Sequence, residues 1–155
     1  MALPPFQALI DSHAEAVRRF LVASAGRGAA DDCFQETFVA ALRAYPRLRP
    51  ESNVRAWLFT IARSKAIDHH RAVRRGPVPV AEVPERPAPA SEPASSDGDL
   101  WAAVRVLPEK QRAAVTLRFV ADLSHREIGR VLDCSDAAAR RSVHEGLKRL
   151  REVRT

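Results

Sequence analysis

Three observations predict an all-α fold made of two small helical domains. Apolar residues recur at three- and four-residue spacing through the first and last thirds of the 155-residue chain. A segment with six prolines, GPVPVAEVPERPAPASEPASSD (76–97), lies between them and has no helical periodicity. Near the C-terminus, two helical patterns are separated by only a tight turn.

The first block reads as helices throughout. Phe6, Leu9, Ile10, His13, Val17, Phe20 and Leu21 fall on one face of an opening helix. Gly26 and Gly28 are expected to break it. Their G-x-G spacing is no nucleotide loop, because no strand precedes it. A second helix over about 30–45 is expected to bury Phe34, Phe38, Ala41, Leu42 and Tyr45. Its other face carries Asp31, Asp32, Gln35 and Glu36, and first-turn acids commonly complement the helix dipole. Pro46 and Pro50 then mark a short loop leading into NVRAWLFTIARSKAIDHHRAVRR, residues 53–75. In that third helix Val54, Trp57, Leu58 and Ile61 share a face. Phe59, two residues from Trp57, points roughly the opposite way. One neighbour cannot cover both rings, so either the helix is buried on two sides or one ring faces a partner. Its tail carries Arg63, Lys65, Arg71, Arg74 and Arg75, interrupted by Asp68 and His69-His70. A cationic helix end of this kind suits a run of phosphates.

The proline-rich segment reads as an extended tether that buries no core. Beyond it, Asp97 or Asp99 can cap a helix carrying Leu100, Trp101 and Val104, and Pro108 suits the first turn of a helix reaching about Val120. Ser124 and Glu127 have capping-box spacing, with Leu123 and Ile128 placed as a hydrophobic staple. A helix over 125–132, a turn at Asp133-Cys134, a cap at Ser135 and a helix over about 136–152 complete a helix-turn-helix. On the last helix Ala139, Val143, Leu147 and Leu150 form an inner face, and Gly146 on that side permits close approach of a neighbour. Arg140, His144, Lys148 and Arg151 line an adjacent side, with Arg141 beside them. This is a basic stripe on the helix that enters the major groove in such motifs. Arginines there can meet guanine edges or phosphates, and Lys148 and Arg151 are better placed for backbone phosphate.

Charge follows the same division. Residues 1–75 carry a net +5, residues 76–97 a net −3 and residues 98–155 a net +4. Two basic blocks around an acidic segment suggest a polyanion touched at two places. Cys33 and Cys134 have no CxxC or Cys–His zinc spacing and read as buried or half-buried thiols of a reducing cytoplasm. No apolar run approaches the length of a membrane span, and MALPPFQALID lacks the features of a secretory leader. No nucleophile motif, metal set, cofactor site or phosphate loop argues for an enzyme.

DDCFQETFVAALRAYPRL followed by NVRAWLFTIARSKAIDHHR resembles region two of the extracytoplasmic-function (ECF) sigma factors of bacterial RNA polymerase. LPEKQRAAVTLRFVADLSHREIGRVLDCSDAAARRSVHEGLKRLRE is similar to their region four. The resemblance implies a region-two domain over 1–75, a linker over 76–97 and a region-four domain over 98–155. It implies that Asp32, Gln35, Glu36 and Phe38 dock on the β′ clamp helices of core RNA polymerase, and that region four meets the β flap. Asn53, Arg55, Trp57, Arg63, Lys65, Asp68 and Arg71 would lie at the minus-ten promoter element. A flipped base there needs a pocket or stacking surface. Ser135, Arg140, Arg141, His144, Lys148 and Arg151 would meet the minus-thirty-five duplex. An anti-sigma factor is a further implied partner, with no membrane insertion.

The chain departs from the family pattern at Asp133, where Gly is usual, and at Ala137-Ala138-Ala139, Glu145, Gly146 and Ser64. Most of these bear on promoter sequence more than on fold. A stand-alone helix-turn-helix regulator would have no need of DCFQETF. A degenerate sigma-like protein that binds polymerase without initiating is the other alternative.

Overall fold

The computed structural model describes residues 3–75 and 96–154. The described residues form seven helices and a single 3-10 turn, with no strand among them. The expected linker lies almost wholly outside the described residues.

Helix α1 spans Phe6–Ala25 and stops at Gly26, whose φ of 87° is strained for any residue with a side chain. The Gly26 N–H still donates to the Val22 carbonyl, 3.0 Å away. Helix α2 (Arg27–Ala44) begins at the next residue, so Gly28 lies inside it and breaks nothing. That early start also moves Asp31 and Asp32 past the first turn, and the dipole reading does not hold for them. Asp31 instead pairs with Arg18, whose guanidinium stands 5.9 Å from the centre of the Phe34 ring.

A stripe of small residues on α2, Ala29, Ala30, Cys33, Thr37 and Ala41, is buried. It lets α1 and α3 approach closely. Thr37 satisfies its buried hydroxyl by donating to the Cys33 carbonyl at 2.7 Å. Leu42, expected in the core, is 54% exposed, and Val39 is 47% exposed. The small-residue stripe fixes which way α2 faces, and Leu42, one step round from Ala41, turns outward. Phe34, Phe38 and Tyr45 are partly buried, as expected.

Tyr45–Arg47 makes the 3-10 turn, and α3 follows as Val54–Arg75. Asn53 caps α3, its Oδ1 accepting the Ala56 N–H at 3.0 Å. Phe59 is fully buried, edge-on to Phe20 at 5.7 Å. Trp57 is half-buried, with its ring 6.1 Å from Tyr45. The helix is therefore covered on two sides, and Phe59 is the ring that faces the core. His70 holds the later half of α3 against the end of α1, its Nε2 lying 2.7 Å from the Ser24 carbonyl.

In the second half, α4 spans Ser96–Arg105, so Asp97 and Asp99 lie within the helix and neither caps it. It begins two residues inside the segment expected to be linker. Pro108 is the N-cap of α5 (Glu109–Phe119) rather than a first-turn residue. Helices α6 (His125–Leu132) and α7 (Asp136–Arg154) complete the chain.

The two halves are packed together. One cluster of buried residues joins Leu9, Val17, Phe20 and Leu58 of the first half to Ala113, Leu117, Leu123 and Ile128 of the second. A smaller cluster places Ala23 of α1 with Val104, Leu107, Val115 and Leu150. Among the described residues, no helix is long and apolar enough to cross a membrane.

Candidate nucleic-acid interface

The helix-turn-helix is fixed by local chemistry at each joint. At the start of α6 the Ser124 Oγ accepts the Glu127 N–H at 3.1 Å, and Glu127 Oε1 accepts the Ser124 N–H at 2.8 Å. The expected capping box is thus complete, and Leu123 and Ile128 beside it are fully buried. At the other end Asp133 adopts the left-handed conformation, φ 59° and ψ 51°. The Cys134 N–H then turns back to the Gly129 carbonyl at 2.8 Å. The turn lies so close to α6 that a Cβ on Gly129 would stand 2.6 Å from the Cys134 carbonyl oxygen. Ser135 Oγ accepts the Ala138 N–H at 3.0 Å and starts α7.

Helix α7 divides as its sequence predicts. Ala139, Val143 and Leu150 are buried, and Leu147 packs partly against them. Gly146 meets α5 so closely that a Cβ there would lie 2.6 Å from a Val115 methyl. Arg140, Arg141, His144, Lys148 and Arg151 are all exposed, as is Ser135. The neighbourhood is electropositive. His125 at the start of α6 is held below the usual 6.5 by partial burial and then by Arg118 and Arg140, with Asp136 opposing.

The third helix carries a different arrangement. Arg63 donates from Nε and Nη2 to both oxygens of Glu109, at 3.0 and 2.8 Å. Arg55 donates from Nη2 to the carbonyls of Ala121 and Asp122, at 2.6 and 2.9 Å. The Asn53 side-chain amide donates to Glu127 Oε2 at 2.8 Å. Three of the residues expected at the minus-ten element therefore hold the second half of the chain, which sequence reasoning did not foresee. Lys65 is partly buried, and Asp68 and Arg71 are exposed further along. Electrostatics record both the packing within the first half and the contact between halves. Burial lowers the His13 pKa below 6.5, and the nearby Arg55 charge lowers it further. Burial alone would raise the Glu127 pKa, but bonds from the Ser124 backbone and Asn53, with the Arg55 charge, bring it below the usual carboxylate value.

On α2, Asp32, Gln35 and Glu36 are exposed together. Phe38 turns inward, 4.9 Å from the Phe34 ring and 6.5 Å from Phe6. Val39 and Leu42 join the exposed face beside Gln35. The i, i+4, i+7 spacing of 35, 39 and 42 carried that signal in the sequence. Cys33 is buried, and burial followed by the charges of Glu36 and Asp32 raises its pKa.

Two family profiles match the chain, Sigma-70 region 2 over residues 9–76 and Sigma-70 region 4 over residues 97–150. The RNA polymerase sigma factor CarQ of Myxococcus xanthus is 33% identical over 96% of this chain and 88% of its own length. The ECF RNA polymerase sigma factor SigC of Mycobacterium tuberculosis is 33% identical over 83% of this chain and 71% of its own. This chain belongs to the ECF sigma factors.

The ECF RNA polymerase sigma factor SigE of Mycolicibacterium smegmatis is 32% identical over 97% of this chain, which spans 62% of that relative's length. Among solved structures, the sigma factor RpoE of Bartonella quintana, crystallised with the anti-sigma factor NepR, has a TM-score of 0.79. It is 24% identical, with 95% of this chain and 94% of that one covered. CnrH, solved with the cytosolic domain of CnrY, gives a TM-score of 0.73 at 23% identity over 96% of this chain and 86% of that one. Both share the fold. The family is one of transcription-initiation factors rather than enzymes, and its region-four profile covers α6, the turn and α7 as far as Leu150.

Proposed function

We propose that the chain binds core RNA polymerase and directs promoter recognition, promoter opening and transcription initiation. The observation that carries this reading is the exposed basic stripe of α7 on a fully capped helix-turn-helix. In this reading residues 1–75 are the region-two domain, 76–97 the acidic linker and 98–155 the region-four domain. Ser135, Arg140, Arg141, His144, Lys148 and Arg151 meet minus-thirty-five duplex DNA, with the arginines nearer the start of α7 at base edges. The exposed α2 face of Asp32, Gln35 and Glu36, extended by Val39 and Leu42, takes the β′ clamp helices. Phe38 supports that face from behind. Region four takes the β flap.

Asn53, Arg55, Trp57, Arg63, Lys65, Asp68 and Arg71 form the minus-ten surface. Trp57, half-buried rather than sealed in the core, retains an accessible part of its ring for stacking on an opened base. The protein acts in the cytoplasm, where its polymerase and promoters are. An anti-sigma factor is a further partner; the sigma factor RpoE of Bartonella quintana, whose fold this chain shares, was crystallised with one.

Run-off transcription with bacterial core polymerase on genomic fragments, with and without the protein, tests the reading. New start sites are expected. Their absence would favour a sigma-like protein that binds without initiating. Arg140→Ala and Arg141→Ala should each cost about 1–3 kcal/mol in promoter recognition if they read bases. Transcription at the wild-type level from both variants would remove the α7 assignment.

A further inference from the structure

We infer that Tyr45 is a positioning residue for Trp57: tied to the segment ahead of α1, it holds the Trp57 ring in place to stack on an opened base. The inference rests on the minus-ten reading of Trp57 given above and adds to it the residues that set the ring.

The ring needs such a neighbour. Ala56, Leu58 and Phe59 around it are buried, whereas Trp57 itself is half-buried. A side chain with solvent on one side has fewer packing partners, so each remaining one weighs more in fixing its orientation. Tyr45 is the aromatic partner of Trp57, with centroids 6.1 Å apart and planes inclined at 39°. A loose ring must be ordered each time a base stacks on it, and that ordering weakens binding; a ring already held loses less.

Tyr45 is itself fixed from several directions. Its N–H donates to the Ala41 carbonyl at the end of α2, and it begins the 3-10 turn that leads toward α3. Its hydroxyl donates to the Pro4 carbonyl, 41 positions earlier in the chain. The Pro5 carbonyl takes the first N–H groups of α1, from Ala8 and Leu9. The carbonyl before it turns instead to the phenol. Phe6, the first residue of α1, meets the Tyr45 ring edge-on at 5.3 Å and Phe38 of α2 at 6.5 Å. Both ring contacts of Tyr45 lie within the range of favourable aromatic pairs. The arrangement calls for tyrosine rather than phenylalanine: an aromatic body for Phe6 and Trp57, and a polar tip for a backbone carbonyl.

Tyr45→Phe removes the tie and leaves the ring. Wild type, Tyr45→Phe, Trp57→Leu and the double variant, all full-length, are assembled with bacterial core polymerase. The DNA is the genomic fragment with the strongest run-off product, and opening is read as permanganate reactivity of thymines around the start site. Tyr45→Phe should lower opening roughly two- to tenfold while core-polymerase affinity and the urea midpoint of the free chain stay near wild type. In the Trp57→Leu background it should have little further effect. Wild-type opening by Tyr45→Phe, additive losses in the double variant, or a parallel loss of polymerase affinity would overturn the positioning role. Wild-type opening by Trp57→Leu would refute the minus-ten reading of that ring, whereas its loss beside an unaltered Tyr45→Phe would refute only the role of Tyr45. Fluorescence of the free chain gives a second measure. Trp101 is the other tryptophan of the sequence, so a Trp101→Phe background isolates the Trp57 signal. The fast component of its anisotropy decay should grow with Tyr45→Phe and grow further with Tyr45→Leu. An unchanged decay in both would overturn the proposal.

Discussion

Replacing Gly146 by Ala sets two effects of known size against each other. Ala is favoured over Gly in a helix interior by about 1 kcal/mol, so propensity alone predicts a more stable protein. Packing predicts the reverse. The new Cβ would stand 2.6 Å from a Val115 methyl, 3.3 Å from the Gln111 carbonyl oxygen and 3.5 Å from the Gln111 Cβ. Carbon pairs prefer about 3.5–4.0 Å, so the first contact is short by roughly 1 Å. Val115 is buried and β-branched, with little freedom to swing aside. Overpacking of this kind costs about 1–3 kcal/mol. The balance is a net loss of about 1 kcal/mol, a fall of roughly 0.5 M in the urea midpoint at a slope near 2 kcal/mol/M. Combining Gly146→Ala with Val115→Ala removes the offending methyl. The pair should then be more stable than the sum of its parts by about 1 kcal/mol. Equilibrium urea unfolding followed by far-UV circular dichroism measures all four proteins. A raised midpoint for Gly146→Ala, or strict additivity in the cycle, would refute the close-packing argument.

Other outcomes follow from the turn, the cap and the buried titratable groups. Asp133→Gly should stabilise the chain by about 0.5–1 kcal/mol, because Asp133 sits at φ 59° and glycine takes that conformation without steric cost; a thermal melt checks it. Ser124→Ala should cost about 1 kcal/mol through loss of the capping box, read in the same melt. Acid should destabilise the fold in two stages. His13 has a folded pKa below its usual 6.5, so its contribution is complete above 6.5 and fades as pH falls below it. Glu127 has a folded pKa below its usual 4.5, so its contribution persists to lower pH and disappears as pH drops through the folded value. Melting temperatures between pH 7.5 and 3.5 test both, and His13→Gln should flatten the upper stage.

Much of this molecule was legible in its sequence because the signals were local. Ser124 and Glu127, Asp133, Ser135 and the inner face of α7 are decided within a few residues, and each appears as its pattern predicts. The absence of a side chain at Gly146 correctly signalled a close helix contact. Readings failed where a neighbour decided the matter. Leu42 has suitable helical spacing for the core, but the small residues of α2 choose the buried side. Asp97 and Asp99 are good caps by type, yet α4 begins before them. Arg63 reads as a cation awaiting phosphate and Arg55 is placed at DNA by the family resemblance, and nothing local showed that Glu109 and the carbonyls after α5 would hold them. Contacts between residues tens of positions apart leave no periodic trace. The acidic first turn of α5 and the capping glutamate of α6 look entirely ordinary until the two halves are placed side by side.

Asn53 uses both ends of its side chain at once. The oxygen holds the first turn of α3 through the Ala56 N–H, while the nitrogen reaches Glu127. Release of region four would free only the nitrogen, because the oxygen is bound within the same helix. As long as α3 keeps its first turn, Asn53 offers a new partner its N–H donors, while its oxygen is already engaged in the cap. In the minus-ten reading proposed above, that suits it best to phosphate oxygens and the acceptor edges of bases. Asn53→Asp would keep the cap while replacing that donor with a negative charge, turning the residue from an attractive contact into a repulsive one toward glutamate and nucleic acid alike.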